Sequence, residues 1–212
     1  MRKLKKLIVF ASGGKAGGGS GFANLCTSTH LGEAIADIVA VVSNHAEGGV
    51  QKHAEKLRVP FVHFPAPWDG HSYHKIVRQS GAEFVALSGW LKQTSGLCAE
   101  MTFNIHPAPL PRFGGKGMYG HHAHQAVIEA YRRGEITQSA VTMHFVTNEY
   151  DKGPVFFTHP VPIYQGDDAD SLGRRVLGVE HFFQPIMTAK VLAGEIGWDG
   201  VDPASLRGAI LK

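Results

Sequence analysis

The amino-acid sequence predicts an α/β protein: a mostly parallel central sheet flanked by helices, extended by a β-hairpin and a long C-terminal helix. Three observations carry this. Over the first hundred residues apolar runs alternate strictly with amphipathic segments, the pattern of a parallel sheet with crossover helices. The run "IADIVAVVSN" is nearly continuous in apolar residues, as a strand covered on both faces is. Beyond "MTFNIHP" the rhythm changes to two β-rich runs and one long helical stretch.

Taken in order, "LKKLIVFAS" reads as the first strand, followed by the loop "GGKAGGGSG" and a helix from Phe22 to about Glu33. "IADIVAVVSN" is the second strand and "GGVQKHAEKLR" the helix after it. "VPFVHFP", "SYHKIVRQS" and "AEFVALSGW" continue as strand, helix and strand. "SAVTMHFVTNEYD" and "GPVFFTHPVPI" flank "DKG" and read as a hairpin or near-hairpin. A helix from about Asp168 to Ala193 is opened by the capping material "DDADS" and closed by Gly194, with the remainder as an appended tail.

Bulk properties narrow the function. A chain of 212 residues suits one domain with a sizeable core. Cys26 and Cys98 have no CxxC spacing and read as reduced thiols of a cytoplasmic protein. The net charge of +3 forms no basic stripe, so no nucleic-acid partner is implied. The basic, apolar start leads into glycines and Lys15 rather than a cleavage site, so a buried strand is expected there and not a signal peptide. No run has the length of a membrane span.

The loop "SGGKAGGGSGF" fits neither the P-loop nor the GxGxxG spacing. General physics remains: glycines let backbone N–H groups approach an anion, and the following helix adds the positive end of its dipole. The expected ligand is a phosphate monoester, held by Gly19, Ser20, Gly21 and Asn24. The alternative is a loop whose glycines only tolerate unusual dihedral angles.

Asn104 and His106 end a strand two residues apart, so their side chains share one side. An amide and an imidazole suit a carbonyl carbon passing through a tetrahedral state: Asn104 donates to the oxyanion, and His106 donates a second bond or relays a proton. A carboxylate must orient the imidazole; Asp151 is the natural candidate and Glu149 its competitor. His121 and His124 in "HHAH" could share a helix face as a zinc pair, but no carboxylate completes a ligand set, so they are expected on a surface helix and no metal is expected.

"FNIHPAPLPRFGG", "VTMHFVTNEYDKGPVF" and "ALSGWL" together resemble the folate-dependent formyltransferases, most closely those acting on glycinamide ribonucleotide in purine biosynthesis. The resemblance implies a Rossmann-like formyltransferase fold, with residues 1–100 as the phosphate-binding half, 101–194 as the catalytic and folate-binding half and 195–212 as a tail. It implies direct transfer of formyl from the co-substrate 10-formyltetrahydrofolate, with Asn104, His106 and Asp151 catalytic. Gly19, Ser20 and Gly21 would meet the phosphate, and Glu180 would help hold the ribonucleotide. Trp90, Leu91 and Lys92, with the segment Val146, Thr147 and Asn148, would build the folate pocket. Such a chain needs only small-molecule partners, and a homodimer is left open.

Three departures from the family pattern stand out: a longer first loop, "HPAPLP" with Ala108 and Pro109, and the long "FGGKGMYGHHAH" carrying Lys116 and Tyr119 beside the acceptor. Rival readings are transfer to a nucleotide-linked amino sugar, to initiator methionyl-tRNA or to water, and a non-catalytic folate- or nucleotide-binding protein. The tRNA reading expects an added carboxy-terminal domain for which little chain follows Gly194.

Overall fold

Strand β1, Lys6–Phe10, is buried after its first residue because it runs through the middle of the sheet. The computed structural model describes residues 3–15, 17–30 and 32–211; Ala16 in the first glycine loop, and Lys212 at the end of the expected tail, lie outside them. Alternation along β1 sends Leu7 and Val9 to one core cluster and Ile8 and Phe10 to another, so the strand is apolar on both faces.

The chain continues through α1 (Ser20–Thr27), a small antiparallel ribbon of β2 (Thr29–His30) and β3 (Glu33–Ala34), β4 (Asp37–Ser43), α2 (Gly49–Leu57), β5 (Phe61–His63), α3 (Gly70–Ser80), β6 (Phe84–Ser88) and β7 (Thr102–His106). Next come α4 (Gly120–Arg132), β8 (Gln138–Phe145), β9 (Val155–Pro162), α5 (Ala169–Leu192) and β10 (Ile210–Leu211). The main sheet has the order β10-β9-β8-β7-β6-β1-β4-β5. Pairing is parallel from β5 to β7 and antiparallel at β7–β8 and β8–β9. The mostly parallel sheet, the extension beyond it and the long C-terminal helix are as the sequence predicts.

Three local features differ from expectation. Helix α1 stops at Thr27 rather than near Glu33, because Thr27 Oγ1 turns back to the Ala23 carbonyl at 3.1 Å and Ser28 is extended. The hairpin is not tight: β8 ends at Phe145, and residues 146–154 form a loop pinched at its base by Phe145 N donating to Pro154 O at 3.0 Å. The segment read as a tail packs Ile196 and Trp198 into the core and adds β10 in parallel to β9 at Phe157 and Thr158.

Helix α5 begins where its capping residues place it. The Asp168 side chain accepts from Ser171 N at 2.8 Å, and Ser171 Oγ accepts from Asp168 N at 3.0 Å. Strand β1 is flanked by β4 on one side and β6 on the other, so the chain leaves it in one direction and returns in the other. A crevice at the carboxyl ends of such strands is the usual ligand position. No helix among the described residues is long and apolar enough to cross a membrane.

Candidate active site

The antiparallel register of β7 and β8 sets Asn104 opposite His144 and His106 opposite Thr142. Asn104 Nδ2 lies 3.1 Å from His144 Nε2, while His144 Nδ1 donates to the Phe145 carbonyl at 2.7 Å. The Phe145 carbonyl can only accept, so the Nδ1 proton is committed there and Nε2 is the ring atom that meets the Asn104 amide. Asn104 keeps its second N–H for the cavity. Asp151 Oδ1 is 3.3 Å from the same Nε2, so amide, imidazole and carboxylate meet at one ring nitrogen.

Asp151 is held from several directions. Its backbone adopts a left-handed φ of 53°, and its Oδ2 accepts from Gly115 N at 2.8 Å. Gly114 permits this approach, since a Cβ there would lie 3.0 Å from Asp151 Cβ and 2.5 Å from Leu110 Cδ2. Burial pushes the carboxyl up, but the His144 and His106 rings and the Gly115 N–H outweigh it and hold it below the usual carboxylate range. It is an anion at neutral pH.

His106 is 3 % exposed and donates from Nε2 to the Phe113 carbonyl at 2.7 Å. That carbonyl orients the ring. Asp151 Oδ2 stands 3.8 Å from Nδ1, within ion-pair reach of His106 as expected but beyond a hydrogen bond, so the carbonyl rather than the expected carboxylate sets the ring orientation. Burial lowers the His106 pKa more than Asp151 and the Phe113 carbonyl raise it. The neutral ring therefore has a bare Nδ1, able to accept a proton but unable to donate one until it has.

Asn104, His106 and Asp151 open onto a cavity of about 1130 Å³ that also receives the glycine loop, Ser20, Gly21 and Glu180. Gly19 is the residue before α1, at φ 83°, and the helix starts with neither a side-chain cap nor an acid in its first turn. A Cβ on Gly21 would lie 2.3 Å from Ser88 Oγ and 3.1 Å from Gln184 Oε1, so only glycine lets α1 approach β6 and α5 there. Ser20 Oγ lies 3.3 Å from His181 Nε2. Asn24 is not on the cavity wall: its Nδ2 donates to the His181 carbonyl at 2.6 Å, making it a strut between α1 and α5 rather than a phosphate contact. Burial pushes the Glu180 carboxyl up to about 7.

The expected folate residues divide. Lys92, Val146, Thr147 and Asn148 line a smaller cleft together with Asn104, His144, Tyr150 and Asp151, Leu91 lines the larger cavity, and Trp90 lines both. The cleft is only about 40 Å³, because Gln93 Nε2 bonds across it to the Asn148 carbonyl at 3.0 Å. Trp90 is chiefly a core residue, packed against Phe10 and Phe64 with its indole N–H on Tyr73 Oη at 2.8 Å. Lys92 lies over the Trp68 ring at 4.4 Å. Glu149 is exposed on the rim of the cleft and makes no contact with either histidine.

Sequence reasoning missed His144, His181 and Gln184. His144 stood in the quoted "HFV", but its partnership with Asn104 exists only in the β7–β8 register. The "HHAH" cluster also differs from expectation. His124 is buried over Gly173 and pulled by burial to about 4, while exposed His121 pairs with Asp170 at 3.1 Å.

Comparison with known proteins agrees with this architecture. The sequence profile described as "Formyl transferase" matches residues 5–188. The chain is 36 % identical to the chloroplastic phosphoribosylglycinamide formyltransferase of Arabidopsis thaliana, over 94 % of this chain and 70 % of that protein. It is 35 % identical to the same enzyme of Vigna unguiculata, over 94 % of this chain and 65 % of that one. The crystal structure of phosphoribosylglycinamide formyltransferase from Brucella melitensis superposes with a TM-score of 0.75 at 30 % identity, covering 91 % of this chain and 97 % of that one. A profile matched over most of the sequence, on a fold shared with these enzymes, shows that the chain belongs to the formyl transferase family.

Proposed function

We propose that the protein transfers the formyl group of 10-formyltetrahydrofolate to the amine of glycinamide ribonucleotide, a step of purine biosynthesis. One observation carries this reading: Asn104 and Asp151 line both the large cavity and the narrow cleft, so they stand where an acceptor from one side and a formyl donor from the other would meet. The acceptor phosphate sits on the backbone N–H groups of Gly19, Ser20 and Gly21 at the positive end of α1. Glu180 holds the ribonucleotide farther along the same wall.

The neutral amine attacks the formyl carbon. Asn104 gives its free N–H to the oxyanion, its amide held in place by His144. His106 accepts the amine's proton at Nδ1, directly or through water, and the Asp151 anion stabilises the imidazolium at ion-pair range. The proton is then returned to the departing folate nitrogen. No metal is required, since an amide and a neutral imidazole supply both the stabilisation and the proton path. The pterin enters the cleft by parting Gln93 from residues 146–150; a cleft of this size is otherwise far below the roughly 300 Å³ of a small-molecule site. The reading includes a single cytoplasmic unit acting on two small molecules, with neither nucleic acid nor membrane involved.

The test is the absorbance of released folate on mixing the protein with 10-formyltetrahydrofolate, with and without glycinamide ribonucleotide. Release that depends on the acceptor is the expected result. Acceptor-independent release would make the protein a hydrolase, and no release would leave a binding protein.

A further inference from the structure

The loop after β1 is more than a strand-to-helix turn. Gly14 and Gly17 pair with each other, N–H to carbonyl at 2.8 and 3.3 Å, so that Lys15 lies in the turn of a miniature hairpin. Glycine packs on glycine beneath it. A Cβ on Gly18 would lie 2.5 Å from Gly13 Cα, one on Gly48 2.5 Å from Gly14 O, and one on Gly49 2.5 Å from Gly17 C. Gly49 N also donates to Gly14 O at 3.2 Å, tying the hairpin to the start of α2. So many glycines cost conformational entropy on folding, and Gly17 and Gly18 are exposed, so core packing does not explain them.

What the clamp fixes is the base of Lys15. This residue lines the large cavity and also a neighbouring one of about 530 Å³ bordered by His45, Glu47 and Lys52. No carboxylate lies within ion-pair distance of it among the described residues. The hairpin runs straight on through Gly18 to Gly19, where α1 opens without a cap of its own. Lys116, the other lysine on the large cavity, follows Gly115, whose N–H is bound to Asp151, and so belongs to the reacting end. A backbone cradle supplies only partial charges; an uncommitted ammonium on a rigid mount beside it supplies a full one.

We propose that Lys15 contacts the acceptor's phosphate directly and sets a preference for phosphorylated over dephosphorylated acceptors. The proposal rests on the reading of the large cavity as the ribonucleotide site and adds to it a residue outside the Gly19–Gly21 backbone. Its test is calorimetric binding of glycinamide ribonucleotide and of the matching riboside without phosphate, to the wild type, Lys15→Ala and Lys15→Arg. The ratio of the two affinities should fall about 5- to 10-fold in Lys15→Ala, stay within about 2-fold of wild type in Lys15→Arg, and show a smaller Lys15→Ala effect as salt rises. An unchanged ratio in Lys15→Ala, an equal loss on both ligands, or no phosphate preference in the wild type would overturn it. Phosphate-dependent binding that needs Lys15, without turnover, would instead remove the transferase reading and leave this contact standing.

Discussion

The amide nitrogen of Asn104 meets His144 Nε2 at 3.1 Å across the β7–β8 pair, and this bond decides which way the Asn104 amide points. Asn104→Ala should therefore lower kcat about 100-fold, on the order of 3 kcal/mol, with KM for either substrate little changed. Steady-state kinetics decides it, and wild-type turnover in Asn104→Ala would refute the oxyanion assignment.

His144→Phe should release the amide while keeping a ring in the strand, lowering kcat about 10-fold. Because both groups act through one bond, the double variant Asn104→Ala/His144→Phe should be no slower than Asn104→Ala by more than about 2-fold. Fully additive losses would mean that His144 acts independently of Asn104.

Asp151→Asn preserves shape, and asparagine accepts the left-handed φ of 53°, so the fold should persist while the anion is lost. We expect kcat to fall about 10- to 100-fold. The Asp151 pKa is lowered on folding, so its stabilising contribution is present above the unfolded value and disappears as pH falls through the lower folded one. Thermal midpoints of wild type and variant should accordingly differ at pH 7 and converge in acid. A gap that widened toward low pH would contradict the ionised carboxylate.

Glu180 titrates the opposite way. Its folded pKa of about 7 lies above the model-peptide range, so the penalty for ionising it is absent below the unfolded pKa and grows as pH rises through the folded one. Glu180→Gln should remove a pH-dependent destabilisation on the order of 1–2 kcal/mol between pH 5 and 8, a few degrees in Tm for a chain of this size. Parallel Tm profiles for wild type and variant across that range would show that the carboxyl is not desolvated.

Gly153 has no room for a side chain: a Cβ would lie 1.8 Å from the Phe145 carbonyl oxygen. Since that oxygen belongs to the strand backbone, neither partner can yield without moving the loop that carries Asp151. Gly153→Ala should cost about 3 kcal/mol or more and lower Tm by roughly 6 to 12 °C. A variant melting with the wild type would mean that residues 146–154 are not pinched as described.

Much of the molecule was legible from local pattern. Apolar runs alternating with amphipathic segments marked the parallel strands, and the "DDADS" segment marked the start of α5 to within a residue, because strand faces and helix caps depend on neighbours in sequence. Asn104 and His106 were readable for the same reason, two residues apart on one strand. The overestimated length of α1 is a local effect that periodicity hides, since the Thr27 hydroxyl competes for the backbone at its end.

By itself, then, the sequence determined the parallel strands, the helices between them and the shared side of Asn104 and His106. Only the tertiary structure decided who meets whom there. His144 joins Asn104 through strand register, Asn24 turns to α5 rather than to the cavity, Trp90 sinks into the core, and the Phe113 carbonyl orients His106 in place of a bonded carboxylate. The physical reason is distance along the chain. Periodicity specifies the direction of a side chain from its own backbone, but a hydrogen-bond partner tens of residues away is set by register and by how closely two segments can pack, which at Gly21, Gly114 and Gly153 means where a side chain is absent.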